Sequence, residues 1–417
     1  MRNKERGIWG TLKTFGLRHD DFPTIMNNVA ILLRALTINI YASAKPISLI
    51  LSILTLIVSF AYIYECVISM VWLVFFYYGR TGQWDGICVA LTLFSCTVTC
   101  VTKFVYMKIF SKDVQKTVEK FHKCDAQVIK NTRFARNLRK RLRTVKKRAT
   151  LIWITLVVNG GIFMMIPYVT PGRHFSLDLY YMYGLMPVLE SPNYEIATFI
   201  NTLSSIFCSY TMVCVAIYVI VIVGYTEAQM YALGEELINV WNDSQNFYNA
   251  VKHKVQDKIH IIDIKDKISN DFIKIRLRDI IKFHIINIKL VQDLEEELRS
   301  TFALEFSIVA FSITVELLAG LEHTYLQLPF SLVQVFMDCL AGQCLIDACN
   351  YFEDAVYSCK WENFNIDNQK TILLMLGTSQ RTLMISAGGV SKINFESLMV
   401  ILKSTYSAYT TLKSTMK

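Results

Sequence analysis

Charged residues are scarce in this sequence. Asp, Glu, Lys and Arg make up 18% of its 417 residues while 53% are hydrophobic, where soluble domains carry about 25% charge. A water-soluble globular protein is disfavoured by that balance. Signatures of catalysis are missing too: there is no Gly-rich phosphate loop, no His-Glu-x-x-His run and no paired Cys-x-x-Cys. The histidines, His284 and His323 among them, are scattered and build no constellation for acid–base chemistry. The sequence is therefore expected to belong to no enzyme, and no cofactor is called for.

The eleven cysteines form no secreted disulfide framework, because most lie inside apolar runs or beside charged loops. Cys96 and Cys100 sit one helical turn apart, but no His or Cys completes a metal site, so they read as small apolar residues. A cleavable leader is not expected either. The first 45 residues carry Arg2, Lys4, Arg6, Lys13 and Arg18 without an early apolar stretch.

What is present is a series of long apolar runs. A bilayer core roughly 30 Å thick requires about 20 apolar residues per helix, and such runs fall near 46–76, 85–109, 149–169, 194–224, 299–321 and 325–347. A seventh, 389–412, is interrupted by Lys392, Glu396 and Lys403. Advancing 100° per residue, as a helix does, Lys392, Glu396, Lys403, Ser407, Thr410 and Ser414 fall within about 60° of arc. A polar stripe in a membrane helix turns toward protein or toward a watery path, so packing and pore lining both stay open.

Basic residues set the expected orientation, since Lys and Arg near span ends stay on the cytoplasmic side. Segments 1–45, 110–148, 226–298 and 350–388 carry seven, fourteen, ten and three of them, whereas 77–84 and 170–193 carry only Arg80 and Arg173. The expectation is an all-α membrane protein, a single domain over 1–417 with seven transmembrane helices, an intracellular N-terminus and an extracellular C-terminus. The cluster Arg139, Lys140, Arg141, Arg143, Lys146, Lys147 and Arg148 then faces anionic membrane lipid, and no nucleic acid is needed to explain the net charge of +9.

Segment 226–298 has no Pro and, after Gly234, no Gly, while Ile261, Ile264, Ile268, Phe272, Ile275, Leu277, Ile281 and Ile285 recur at helical spacing. Helices running on beyond the membrane are expected, forming with 110–148 and 350–388 a cytoplasmic helical anchor layer.

Aromatic and thioether side chains gather in the outer half: Phe163, Met164, Met165, Tyr168, Tyr194, Phe199, Ile200, Leu203 and Phe207. With Cys88, Leu91, Val158, Gly161, Tyr210 and Phe330 they supply the candidate ligand-binding residues, and Thr202, Ser204 or Tyr210 the polar anchors. Ordinary helix packing is the alternative for each.

The C-terminal third resembles that of insect odorant receptors. Ala348-Cys349-Asn350-Tyr351-Phe352 with Asp354-Ala355-Val356-Tyr357 and Trp361 is similar to the family's aromatic stretch after the sixth span. Thr378-Ser379-Gln380-Arg381 with Ser386-Ala387-Gly388-Gly389 resembles its linker into the last span. Phe395 with Ile401-Leu402-Lys403-Ser404-Thr405-Tyr406-Ser407-Ala408-Tyr409-Thr410-Thr411-Leu412 resembles the family's terminal pattern, and Ser191-Pro192-Asn193-Tyr194-Glu195 its approach to the fourth span. Gustatory receptors end in a different motif, and the shared coreceptor is longer. The resemblance therefore implies the odour-tuning subunit. It implies a plasma-membrane protein of olfactory sensory neurons that binds a small volatile organic ligand and gates a non-selective cation channel in a hetero-tetramer with a coreceptor. It also implies gate positions at Tyr409, Leu412 and Lys413, which conflict with the stripe of Ser407 and Thr410. The alternatives are a G-protein-coupled or gustatory-type chemoreceptor and a non-receptor transporter.

Overall fold

The computed structural model describes residues 14–16, 19–177, 179–252 and 261–415. Arg2, Lys4, Arg6, Lys13 and Arg18 lie outside the described residues. The architecture is helical throughout, apart from a two-residue hairpin. α1 (Phe22–Ala35) begins at Asp21, whose carboxylate accepts from the Thr24 backbone N–H at 3.2 Å. α2 (Leu49–Thr81) follows, then α3 (Trp84–Ile109), α4 (Ser111–Ala126), α5 (Arg133–Val169), α6 (Asn193–Val251), α7 (Ile261–Ala319), α8 (Gln327–Tyr357) and α9 (Ile366–Ser379). After β1 (Ser386–Ala387) and β2 (Ser391–Lys392), α10 (Phe395–Thr415) closes the chain.

Six of these helices, α2, α3, α5, α6, α7 and α8, are long and apolar enough to cross a membrane. Their serines and threonines are accommodated because the hydroxyls bond backward to the preceding turn, as Thr55 does to the Leu51 carbonyl and Thr97 to that of Leu93. The helices α6 and α7, 59 residues each, run about 90 Å at 1.5 Å per residue. A bilayer core of roughly 30 Å takes only about a third of that, so the stripe read along 264–285 belongs to the projecting part of α7. The basic cluster 139–148 likewise continues without a break into the apolar run of α5.

α6 is the central pillar. Every residue from Thr211 to Met230 is buried, as an all-round apolar helix requires, and α5, α7 and α8 pack around it. Gly224 makes the α5 crossing close: a Cβ there would stand 2.3 Å from Val145. The outer faces of α2 and α5 stay apolar and exposed, with Ile50, Phe60, Leu151 and Ile162 turned outward, as a lipid-facing surface should.

At the basic end, α1, α4, α9 and the projecting parts of α5 to α8 form a second layer. Several of its charges are paired. Buried Glu236 receives Arg133 at 2.8 Å and also Arg276, and Arg133 reaches Asp243 at 2.6 Å. His284 is buried in the same layer with its ring 4.4 Å from that of Phe352, and burial pushes its pKa down to about 4. The unfolded chain, with an ordinary histidine pKa near 6.5, therefore binds more protons than the folded one between those values. Stability contributed by neutral His284 is present above about pH 6.5 and is lost as pH falls toward 4, by up to about 3 kcal/mol. Thermal unfolding in detergent is expected to show that acid-side loss, and His284→Gln to flatten it; identical pH profiles would contradict this.

α10 packs on α7 and α8 by one face only. Leu398 and Thr405 are buried, whereas Val400, Lys403, Tyr406, Ser407 and Thr410 are exposed. Its start is set by Gly342 of α8, where a Cβ would lie 2.0 Å from the Ile393 carbonyl oxygen. The helix begins at Phe395 rather than near 389, since 386–392 forms the hairpin, and Asn394 caps it by accepting from the Ser397 N–H at 2.9 Å.

Candidate ligand-binding cavity

A cavity lies among α2, α3, α5 and α6, toward the end of the bundle opposite the basic loops. Each helix contributes one face: Tyr62, Glu65 and Cys66 from α2, Thr92 and Cys96 from α3, Gly160 and Phe163 from α5, and Ser204, Ser205 and Cys208 from α6. Glu316 of α7 and Gln327, Phe330 and Ser331 of α8 complete it. Its volume is about 100 Å³, on the order of the roughly 150 Å³ cavity known to hold benzene. A ligand of one ring or a short chain fits that space.

Two features shape the void. Glu65 and Cys66 fall in a π-helical stretch of α2, Tyr64–Ser69, the wider turn that recurs at functional positions in helices. Segment 170–192 then folds over the top. Its Phe175, Leu177, Tyr180, Met182 and Val188 are buried, Ser176 donates to the Phe163 carbonyl at 2.6 Å, and Tyr78 of α2 donates to the Leu179 carbonyl at 2.6 Å. Tyr180 lines the cavity and donates to Glu65 at 2.8 Å; burial pushes its phenol well above the ordinary range, which keeps it a donor.

The wall is more polar than the aromatic cluster in the sequence suggests. Glu316 accepts from Ser312 at 3.0 Å and Ser331 at 2.8 Å. Gln327 accepts from Thr92 at 2.9 Å. Cys96 and Cys208 approach to 3.7 Å between sulfurs, and all eleven cysteines are free. Among the described residues no group of three or more His, Cys, Asp and Glu is placed to hold a metal.

The expected ligand-binding residues disperse. Phe163 and Phe330 line the cavity, as does Ser204. Phe207 packs below it against Tyr62 and Phe104, with ring centroids 5.4 Å away in both cases. Cys88, Leu91 and Ile200 are off the cavity wall, in the apolar cluster whose Met70, Leu177 and Tyr180 border the cavity. Val158, Tyr168 and Phe199 stand on the outer surface, where the Tyr168 and Thr202 hydroxyls meet at 2.9 Å. Met164 and Leu203 are half-buried off the cavity wall. At Gly161 an added Cβ meets nothing within 4 Å, while the cavity side of α5 belongs to Gly160. Tyr210 points toward the basic end, donating to the Leu32 carbonyl at 3.0 Å. Among the gate candidates, Ser407, Thr410, Leu412 and Lys413 are exposed and Tyr409 is half-buried, with Lys413 Nζ 2.7 Å from the Tyr409 hydroxyl.

Glu65, Glu316, Tyr62, Tyr180 and Gln327 were not singled out from sequence. A signal was there for the two acids: each is an ionisable residue inside an apolar run, which in a membrane helix marks function by default.

Comparison with known proteins places this fold. The 7tm Odorant receptor family model matches residues 83–406. Odorant receptor 49a of Drosophila melanogaster is 28% identical over 150 residues, covering 34% of this chain and 38% of that receptor. Odorant receptor 30a of the same fly is 36% identical over 59 residues, covering 14% and 16% respectively. The matched stretches thus span well under half of these relatives' length. The insect olfactory receptor OR5 from Machilis hrabei, solved in complex with eugenol, superposes with a TM-score of 0.72 at 13% identity over 97% of this chain and 100% of that one. Its other structure gives 0.71 over 93% and 97%. That likeness gives α10 its place as the seventh helix of the fold, although its polar stripe keeps it out of the six apolar ones. A family of chemosensory receptors accounts for the missing catalytic constellations. The chain belongs to the insect odorant receptor family.

Proposed function

We propose that this chain is an odour-tuning subunit which binds a small volatile in the cavity of α2, α3, α5 and α6 and gates a non-selective cation channel with a coreceptor. The observation that carries the reading is the cavity itself, closed over by segment 170–192 in a receptor fold. Eugenol, held by the Machilis hrabei receptor, is likewise a small aromatic molecule. Binding favours the open state to the extent that the open cavity holds the ligand more tightly than the closed one. The whole chain acts as one receptor unit in a hetero-tetramer at the plasma membrane of olfactory sensory neurons. Recording currents from cells that express the chain with and without a coreceptor, during exposure to a panel of volatiles, tests this. Volatile-evoked cation current is expected with the coreceptor; silence of a surface-expressed complex to every volatile would refute the reading.

The gate in this proposal lies on α10, whose exposed outer face suits a helix that meets other subunits and a water path. Tyr409, Leu412 and Lys413 stand near its end, and Ser407 and Thr410 on its exposed face. Tyr409→Ala is expected to alter relative ion permeability or basal current of the assembled channel. Unchanged permeability and leak, at normal expression, would leave the gate to Ser407 and Thr410.

The basic layer is cytoplasmic in this proposal, which places segment 170–192 outside the cell. Natural Asn242-Asp243-Ser244 is a poor reporter, because it lies inside α6 with Asp243 bound to Arg133. Pro171→Asn combined with Arg173→Thr creates an acceptor in the opposite loop, and Lys130→Asn completes one with Thr132 between α4 and α5. The first is expected to carry a removable glycan and the second none. The reverse pattern would invert the topology.

A further inference from the structure

We propose that the cavity selects small primary amines, holding the ammonium group on Glu65 with Glu316 supplying a second negative charge. This deepens, and rests on, the reading of the cavity as the ligand site. Both acids line it and both are almost completely buried, 3% and 1% exposed. Glu65 uses one carboxylate oxygen to accept from Tyr180, and Glu316 uses one to accept from two serines. The second oxygen of each has no hydrogen-bond partner among the described residues. Buried polar atoms left unpaired call for an explanation, and here four residues bordering the same void carry one: Glu65, Glu316, and Tyr62 and Ser204 through their hydroxyls.

Among the described residues that line it there is no Lys, Arg or His. Two acids buried without a cation are costly in their charged form, and removing that cost is the contribution a cationic ligand makes. Lys103, the basic residue buried within α3, is already bound to Glu305 at 2.6 Å. An ammonium supplies three donors in a compact group, whereas an alcohol supplies one and leaves the charge uncompensated. Ser204 stands beside Glu65 without closing a well-aligned bond to it, and its oxygen is a further acceptor for the same group. Of the two acids Glu65 has fewer donors already bound, which makes it the primary anchor. Phe163 and Phe330 take the organic part.

Benzylamine, benzyl alcohol and toluene share one ring and nearly one shape, so comparing them isolates the head group. Dose–response curves are recorded for the full chain expressed with a coreceptor, in wild type, Glu65→Gln and Glu316→Gln, with surface labelling of each. Because charge-assisted hydrogen bonds are about twice as strong as neutral ones, benzylamine is expected to be at least about tenfold more potent than benzyl alcohol. That ratio is expected to fall toward one in Glu65→Gln and to shrink less in Glu316→Gln. Equal or greater potency of the alcohol or toluene in wild type would overturn the proposal while leaving the ligand-gated reading intact. So would an amine-to-alcohol ratio untouched by both variants. Silence to these three and to a broad volatile panel, with the complex at the surface, would instead remove the ligand-gated reading and the amine proposal with it.

Discussion

Lys103→Met is expected to remove most of this receptor from the cell surface. Lys103 on α3 and Glu305 on α7 meet at 2.6 Å with side chains 5% and 3% exposed, and Gln334 of α8 donates to the same Glu305 oxygen at 2.6 Å. Asp338, equally buried, borders the same small void and has one carboxylate oxygen without a partner among the described residues. Two acids thus depend on one cation. Removing it leaves uncompensated charge beside a void that no other base lines among the described residues, which costs about 3–5 kcal/mol, a large part of the roughly 5–15 kcal/mol that holds a domain together. Neutralising all three positions together, as Lys103→Met with Glu305→Gln and Asp338→Asn, is expected to restore much of the loss. Surface labelling and unfolding in detergent measure both; a single variant as stable as wild type would show that Lys103 is not the compensating charge.

The second large effect is expected from filling the cavity. Ser205 lines it, is half-buried, and among the described residues makes only a long 3.3 Å bond to Asn201, so its replacement sacrifices little. A phenyl group there occupies a space of about 100 Å³, close to what the ring of benzene requires. Ser205→Phe is expected to shift the response to every active volatile by at least about a hundredfold, or about 3 kcal/mol of binding, while surface assembly persists. Gly161→Trp, one residue away from the cavity face of α5, is expected to act far less. Equal effects of the two would place the ligand outside the cavity.

The contrast between Gly160 and Gly161 shows what the sequence makes legible and what it leaves open. Long runs low in charge identify six helices, because a bilayer imposes length and apolarity on each independently of its neighbours. The projecting parts of α6 and α7 are legible for a similar reason: periodicity at Ile264, Ile268 and Phe272 is local. Which face of a helix meets which other face is not local. Tyr168 and Phe199 belong to the same aromatic-rich stretches as Phe163, yet rotation of α5 and α6 in the bundle leaves them outside. Segment 170–192 reads as a loop with one basic residue, and only the assembled bundle explains why Tyr180 turns inward to Glu65. The amphipathic α10 stays ambiguous alone because its exposed stripe is explained only by what surrounds it. Glu65, Glu316, Lys103, Glu305 and Asp338 were legible as exceptions to apolarity, and counting spans by low charge passes over them.

The effects above on the volatile response depend on a volatile occupying the space between Glu65, Phe163, Ser205 and Phe330. A structure of the chain with its coreceptor, bound to an activating volatile, tests it most directly. Ligand density is expected to be enclosed by α2, α3, α5 and α6, in contact with Phe163 and Phe330 beneath Tyr180. Density instead among the outward-facing Val158, Tyr168 and Phe199, or anywhere that leaves this cavity empty while the channel is open, would contradict it.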